Sequence, residues 1–506
     1  MAKSRKSIKL PQLFLISIAL GAVLMLVFQL ASTDTTSPNA VPKISDPRFV
    51  EAASESSIES LQALLDDGID VNSAYGDGTR ALHWAVHWDD QAMAQLLIGA
   101  GADVNARNEL GVAPLWLAAE NGSASMTQQL LDADANANLS LPSGETILMM
   151  ASRTGNPAVI NLLLQHSASV NATENSQHQT ALMWAVVQQH PEAVEALVVK
   201  GADINLRTDT WIEVAQPAGA RPAIRDAVYE IVQGGYTAFL FAAQQGNVEI
   251  ASLLLSAGAD VNEKAPDGTS ALLIAAHSGN SELAQFLLEE GADPNLMEAG
   301  YSALHITIPH KDLALVESLL AHGANVNEVV ISPTPARRSS RDFAIREQIV
   351  GTTPFWIAAQ YRQTEILQAL VAAGADLSFT TDSQDTSLML AIDGRTAFFQ
   401  EETRGITDSG AAERDALKLV EYSLSIGVDV NAANGNGDTG LHKASSRGYN
   451  NIVKYLVANG ADIHTANKRG MTALDYAMRL RVRGIGRSAS SNASTEKLLR
   501  DLGATD

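Results

Sequence analysis

The stretch Leu254-Leu255-Ser256-Ala257-Gly258-Ala259-Asp260-Val261-Asn262 is the clearest copy of a pattern that occurs eleven times in this chain of 506 residues. The last position of the pattern falls at residues 72, 105, 138, 171, 205, 262, 295, 327, 378, 431 and 464, and it is Asn in all copies except Ser378 and His464. Most steps are 32 to 34 residues, and three longer steps of 57, 51 and 53 residues each contain one period plus an insertion. A fixed period of this length predicts a stack of structural repeats.

The residues on either side of this stretch show what one repeat contains. Asp267-Gly268-Thr269 predicts a tight turn, because Gly tolerates a positive φ and a hydroxyl side chain can cap the helix that follows. Residues 271–276 predict a short apolar helix, which the Gly279-Asn280 pair interrupts. The next apolar residues, at 283, 286, 287 and 288, have helical spacing. Each repeat is therefore predicted to be a helical hairpin plus a turn.

This unit resembles the ankyrin repeat, whose Thr-Pro-Leu-His-x-Ala and Gly-Ala-Asp-Val-Asn motifs occur here in pieces. The Leu-His pair is kept at Leu82-His83, Leu304-His305 and Leu441-His442, and the Pro is kept at Pro114 and Pro354. One departure is Pro309, which stands where a first helix should end. The resemblance covers residues 46–506 and implies an all-α solenoid of about twelve helical units. The turns and the placement of the insertions look most like those of exported bacterial ankyrin-repeat proteins.

The amino terminus predicts a membrane anchor. Four cationic residues at 3, 5, 6 and 9 precede an almost wholly apolar run from Leu13 to Leu30, which is long enough to span a bilayer. We predict a cytoplasmic basic segment at 1–9, a transmembrane signal-anchor at 10–31 and a Ser/Thr/Pro-rich linker at 32–45. The positive flank places the repeats in the periplasm, outside a bacterial inner membrane. A cleaved signal peptide, giving a soluble periplasmic protein, and a buried soluble helix remain as alternatives.

Composition and charge restrict the function. The chain has no cysteine, which excludes disulfides and thiolate metal sites. Its net charge of −22 argues against nucleic acid, whose binding depends on neutralising phosphates. An acidic surface keeps a long solenoid soluble, and it also suits a cationic partner; both explanations stay open.

No motif points to catalysis, a cofactor or a metal. His83 and His87 are spaced to chelate a metal, but the Glu of a zinc hydrolase is missing between them, and the ankyrin resemblance gives His83 a structural hydrogen bond. The segment 132–143 begins like a calcium loop, yet it lacks the turn Gly and ends in Ser143 where Glu is needed. We predict a non-enzyme without cofactor or small-molecule substrate, with a metal-dependent enzyme as the weakest alternative.

The variable residues at the ends of the first helices predict a protein-binding surface on the concave side of the stack. Trp88 is the clearest candidate, since a large exposed ring is typical of an interface. Trp84, Trp116, Trp184 and Trp356 are predicted to pack in the core instead. A spacer without a specific ligand is the alternative to a binding scaffold. The predicted surface consists of His87 and Trp88, Glu120 and Asn121, Arg153 and Thr154, Val187 and Gln188, Gln244 and Gln245, His277 and Ser278, His310, and Gln360 and Tyr361.

Four insertions interrupt the repeats, near 206–233, 328–350, 394–413 and 482–494. The first two lie on the loop edge of the stack, roughly 30 Å apart if neighbouring units are spaced by about 10 Å, and insertions in solenoids are often part of the binding face. Loops lying against the acidic concave side, or disorder, are the alternatives. The last two split the helices of one repeat, and 484–491 is flexible by composition. The side chains proposed for binding are Trp211, Ile212 and Tyr229 in the first insertion, and Arg337, Arg338, Arg341 and Arg346 in the second.

Overall fold

The computed structural model describes residues 46–215, 229–334, 349–379, 384–393, 409–482 and 489–505. In these residues the chain forms twelve successive helix pairs and one pair of strands. We call the odd-numbered helices first helices and the even-numbered ones second helices. Their bounds are α1 Pro47–Ser54, α2 Ile58–Asp66, α3 Ala81–His87, α4 Gln91–Gly99, α5 Pro114–Glu120, α6 Ala124–Asp132, α7 Ile147–Thr154, α8 Pro157–Gln165, α9 Ala181–Val187, α10 Pro191–Val199, β1 Thr210–Ala215, β2 Tyr229–Gly234, α11 Ala238–Gln245, α12 Val248–Ser256, α13 Ala271–Ser278, α14 Ser281–Glu289, α15 Ala303–His310, α16 Leu313–Ala321, α17 Pro354–Gln360, α18 Thr364–Ala372, α19 Ser387–Asp393, α20 Ser409–Ser425, α21 Gly440–Arg447, α22 Asn450–Ala458, α23 Ala473–Val482 and α24 Ala489–Asp501.

The helices are short because turns end them, and many of them begin at a capping residue. The first helices α7, α9, α11, α13 and α17 begin behind a Thr or Ser whose hydroxyl accepts a hydrogen bond from the third helical N–H. Several end at a glycine with positive φ, such as Gly246 and Gly279. In other repeats the same left-handed position is filled by Asp89, Gln189 or Lys311.

The helices stack in order, as a solenoid requires. Each first helix contacts the first helices before and after it, and from α4 onward each second helix contacts the next one. The buried apolar residues join into one cluster that runs from Phe49 to Ala504. The prediction of a helical repeat solenoid is therefore confirmed for the described residues. Trp116 and Trp356 are buried in this core as predicted, whereas Trp84 and Trp184 are only half-buried.

The repeated Asn holds each unit to the next. The side-chain amide of Asn138 donates to the carbonyl oxygen of Ser167 at 2.9 Å, and its oxygen accepts from the N–H of Ser169 at 2.8 Å. Asn431 makes the same two bonds to Gly460 and Asp462. An Asn side chain carries both a donor and an acceptor, so it can satisfy two backbone groups one repeat away. The sequence period thus reflects a hydrogen-bonded connection between neighbours.

The histidine of the Leu-His pair also links neighbouring units. Nδ1 of His305 lies 3.1 Å from the N–H of Ser302 and accepts its hydrogen bond, while Nε2 lies 3.1 Å from the carbonyl oxygen of Glu328 in the next unit. This arrangement requires a neutral ring with its proton on Nε2. Burial lowers the pKa of His305 to about 4. His83 makes the equivalent bonds to Arg80 and Val112, so the structural role predicted for it is confirmed.

The first insertion departs from the all-helical prediction. Its described residues form the antiparallel strands β1 and β2, with Thr210 opposite Gly234 and Ala215 opposite Tyr229. We call this pair the β-ribbon. β-branched and aromatic residues such as Trp211, Ile212 and Val232 favour an extended backbone, and this preference outweighs the helical pattern of the surrounding repeats. The prediction of an all-α chain is therefore correct for the repeats and wrong for this insertion.

The remaining insertions are described only in part. The second helix α20 begins at Ser409, so residues 409–413 of the third insertion are helical. Likewise α24 begins at Ala489, and residues 489–491, which composition suggested to be flexible, belong to a helix. The proposed binding residues Arg337, Arg338, Arg341 and Arg346 lie outside the described residues, as does the predicted anchor at 10–31. Within the described ranges, no helix combines the length and apolar character needed to cross a membrane.

Candidate protein-binding surface

The ends of the first helices form a row of side chains that differ from repeat to repeat. We call these residues the first-helix row. Each lies at the last turn of its helix, held in place by the packing of that helix on its two neighbours. His87, Trp88, Glu120, Asn121, Arg153, Gln188 and Gln244 are exposed, while Thr154, Val187, Gln245, His277, His310, Gln360 and Tyr361 are half-buried. Ser278 is also exposed.

Trp88 is the largest exposed side chain in this row. Its relative exposure is 52%, and its ring stacks on Trp84 with the ring centroids 6.2 Å apart. The ring of His87 meets it edge-on at 4.8 Å. The indole N–H donates to the carbonyl oxygen of Ser54 at 3.2 Å, at the end of the preceding first helix. These contacts fix the orientation of Trp88 and leave half of its surface available to a partner.

Some predicted surface residues instead connect neighbouring repeats. The amide of Asn121 donates to the carbonyl oxygens of Val86 at 2.8 Å and His87 at 3.2 Å, at the end of the preceding first helix. The hydroxyl of Thr154 donates to Ala119 in the same manner, at 3.1 Å. These bonds connect the ends of neighbouring first helices. Asn121 therefore has a structural role in addition to any contact with a partner.

The charge around Trp88 is strongly negative. Residues 46–138, the first three units, contain fifteen Asp and Glu but only three Arg. Glu55 follows Ser54, the residue that Trp88 contacts, and Asp89 follows Trp88 itself. Glu120 ends the next first helix. The exposed indole thus lies in the part of the chain where a cationic side chain would meet several carboxylates.

An ion-pair network in the later repeats was not found from the sequence. Nζ of Lys443 lies 2.6 Å from Asp393 and 3.7 Å from Asp385, and Arg447 donates to the backbone oxygen of Asp393 at 2.9 Å. Burial acts to lower the pKa of Lys443, but the bond to Asp393 and the charge of Asp385 outweigh it and raise the pKa. The sequence feature that could have indicated this network is Lys443, because most other repeats have an apolar residue at this helix position. Lys443 thus pairs with Asp393, the last residue of α19, directly before the third insertion.

The described residues contain no group of three or more His, Cys, Asp or Glu side chains placed to hold a metal ion. The buried titratable groups that the structure does show make structural bonds. Glu174, for example, accepts from the N–H groups of Gln177 and Gln179, both at 2.9 Å. Burial acts to raise its pKa, but these bonds and those from Ser176 outweigh burial and lower it.

Family models of ankyrin repeats match most of the repeat region. A model described as three copies of the ankyrin repeat matches residues 115–208 and 239–329. Another, of many copies, matches 424–477, and the single ankyrin repeat matches 77–109 and 350–382. Together they cover more than half of the chain. The chain belongs to the ankyrin-repeat family.

One solved structure is similar in sequence to part of the chain. The crystal structure of the human ASB11 ankyrin repeat domain is 26% identical in sequence and covers 49% of this chain and 98% of its own, with a TM-score of 0.39. No curated protein matches the chain. The ankyrin-repeat matches stop at residue 208 and resume at 239, so the β-ribbon is an addition to the repeats of the family. Ankyrin repeats are generally protein-protein interaction modules, which agrees with a surface of exposed, variable side chains.

Proposed function

We propose that this chain is a non-catalytic scaffold that binds a protein partner through its first-helix row. The observation that supports this proposal most is the contrast between the recurring bonds that join the repeats and the variable side chains that the repeats expose. The Asn and His bonds recur in several units, while the residues at the ends of the first helices vary along the stack. A rigid frame that displays variable side chains is suited to recognition.

Trp88 is the residue on which we expect the binding free energy to depend most. Buried aromatic anchors typically cost about 2 kcal/mol or more when truncated, while charges at the rim cost less. Because Trp88 is oriented by Trp84, His87 and Ser54, a partner would not have to immobilise it. Its acidic neighbourhood favours a partner with Lys or Arg at the contact.

We also propose that residues 10–31 anchor the protein in a bacterial inner membrane, with the repeats in the periplasm. The support is the basic flank at residues 3–9 followed by the apolar run to Leu30. A reporter that is active only outside the cytoplasm, fused after residue 506, should therefore work. Activity of a cytoplasmic reporter alone would contradict this orientation, and a soluble product starting near residue 32 would show a cleaved signal.

Site-specific photocrosslinking in cells tests the binding surface. A photoreactive amino acid at position 87 should capture a protein that the same residue at position 192 does not, because Glu192 lies on the second helix α10. The captured partner, once purified, should bind Trp88→Ala about thirtyfold more weakly, which corresponds to about 2 kcal/mol. Leu110→Ala is the control, since Leu110 is equally exposed but lies in a turn.

Three outcomes separate the alternatives. Equal capture from both positions means that recognition does not use the first-helix row. Capture from neither position supports a spacer without a specific ligand. Normal affinity of Trp88→Ala, with a native circular dichroism spectrum, removes Trp88 from the contact and directs attention to the second helices.

A further inference from the structure

The β-ribbon presents apolar side chains to solvent on a separate part of the molecule. Four of the ten most exposed large apolar residues in the described chain belong to it, although it contributes only twelve residues. Ile212, Val214 and Val232 share one face, because opposite residues of paired strands point the same way. Ile212 and Val214 are 64% and 63% exposed. Patches of this kind usually mark an interaction site.

The base of the ribbon is held firmly, so its position is defined. The guanidinium of Arg207 donates to the carbonyl oxygen of Gly235 at 2.7 Å and pairs with Glu263 of the next unit at 2.7 Å. The hydroxyl of Thr237 donates to the other oxygen of Glu263 at 2.8 Å. An isolated two-stranded hairpin is marginally stable in water. These bonds supply the support that the two strands lack.

The outer edge of β1 is oriented to accept another strand. The N–H of Gly235 donates to the carbonyl oxygen of Asp209, a bond that flanks a non-hydrogen-bonded pair formed by Thr210 and Gly234. Bonding alternates along antiparallel strands, so Trp211 and Glu213 direct their backbone groups toward β2. The N–H and C=O groups of Ile212 and Val214 therefore point away from β2. The two most exposed apolar residues of the ribbon are thus the ones that a third strand would pair with.

The charge of the ribbon indicates what kind of strand fits. Glu213 and Glu230 are exposed, and they are the only charged residues on β1 and β2 as the structure describes them. The chain itself has a net charge of −22, so pairing with a second copy would bring like charges together. A strand that alternates apolar residues with Lys or Arg would place its cations on the face of Glu213, because Ile212 and Val214 point to the other face.

We propose that the β-ribbon is a docking site for an extended basic segment of a protein partner, which adds along β1 as a third strand. Main-chain hydrogen bonds to Ile212 and Val214 would hold the segment, and its apolar side chains would cover theirs. Glu213 would select for cationic residues at the positions between. This strand-addition mode uses backbone bonds for affinity and side chains for specificity. The surface is separate from the first-helix row, so it does not depend on the function proposed above.

The test uses a defined peptide as probe. A fluorescein-labelled peptide of alternating Lys and Val, seven residues long, is titrated with the full chain, and its anisotropy is measured. The same peptide with Glu in place of Lys is the charge control. We expect the Lys peptide to bind at least tenfold more tightly than the Glu peptide. Hydrogen exchange of the segment 210–215 should slow when the Lys peptide is bound.

Val214→Pro is the decisive variant. Its missing N–H would point away from β2, so the ribbon keeps its internal bonds while a third strand loses a donor. We expect at least tenfold weaker binding of the Lys peptide by Val214→Pro. Val214→Ala is the matched control, because it removes similar side-chain area but keeps the donor, and it should weaken binding by about threefold or less. The exchange pattern of the strands in the free variant confirms that the ribbon is intact.

The results distinguish between possible binding partners of the β-ribbon. Equal binding by Val214→Pro and the parent would show that strand addition is wrong. Equal binding of the Glu peptide would remove the basic partner. If the chain without peptide forms a dimer in sedimentation, and Val214→Pro abolishes it, then the occupant is a second copy and the proposal is overturned.

Discussion

His305 makes the stability of the solenoid depend on pH in a way that can be isolated. The ring is fully buried, and it accepts from Ser302 while its other nitrogen donates to Glu328. Protonation of Nδ1 would break the first bond and place a charge in the core. Burial accordingly lowers the pKa of His305 to about 4, from 6.5 in an unfolded chain.

The sign follows from proton binding. Between about pH 4 and pH 6.5 the unfolded chain binds a proton at His305 and the folded chain does not, so the free energy of unfolding falls as the pH falls. The full stabilisation is present above about pH 6.5. From pH 7 to pH 5 the two pKa values give a loss of about 2 kcal/mol from this one residue.

We expect His305→Leu to lack this part of the pH dependence. Leu240 and Leu273 already occupy the equivalent position in other repeats, so the substitution suits the fold. Urea unfolding followed by far-ultraviolet circular dichroism at pH 7 and pH 5 gives the free energies. The loss on acidification should be about 2 kcal/mol larger in the parent than in the variant, because carboxylates and the other histidines contribute equally to both. His166→Gln, at an exposed position, is the control. Equal losses in parent and His305→Leu would refute the reasoning.

Three further predictions concern contacts between units. Asn138→Ala removes two bonds to the next repeat and should lower the free energy of unfolding by about 1–2 kcal/mol, measured by urea unfolding. Gly234→Ala should disorder the base of the β-ribbon, because φ is +79° and a Cβ would lie 2.0 Å from the carbonyl oxygen of Asp209; faster hydrogen exchange of the strands would show it. Lys443→Met should leave the carboxylate of Asp393 without its closest cation and speed proteolysis within the third insertion, whereas Lys418→Met, at a site without a described ion pair, should not.

The repeats could be predicted because the residues that recur in the sequence are the ones that form the turns, caps and bonds between units. Asn residues such as Asn138 and Asn431 at the end of a unit bond the backbone of the next unit, so their spacing equals the structural period. Glycine at positive φ and hydroxyl caps mark the ends of many helices. The same signals occur in nearly every unit, so a substitution such as Ser378 does not hide the period.

The positions of the proposed binding residues could be predicted from the sequence, but the contacts of their side chains could not. Counting from the turn glycine placed Asn121 and Trp88 at the ends of first helices, and both lie there and are exposed. The counting could not show that the amide of Asn121 bonds Val86, since this contact depends on the spacing between two helices thirty-five residues apart. A residue that varies among repeats is therefore available for binding only where its side chain does not bond a backbone carbonyl of the neighbouring repeat.

The β-ribbon shows where a repeat-based prediction fails. An insertion has no counterpart in other units, so its structure depends on its own residues and on the contacts at its two ends. The alternation of Trp211, Glu213 and Gln233 with Ile212, Val214 and Val232 was present in the sequence, but each strand is only six residues long and a short apolar run fits more than one structure. What stabilises the strands is Arg207, which bonds Gly235 and Glu263 across the insertion, at positions 28 and 56 residues away. The β-ribbon is folded and supported at its base, yet its apolar residues stay exposed. We expect this combination where an insertion supplies a second binding surface, in addition to the one proposed on the repeats.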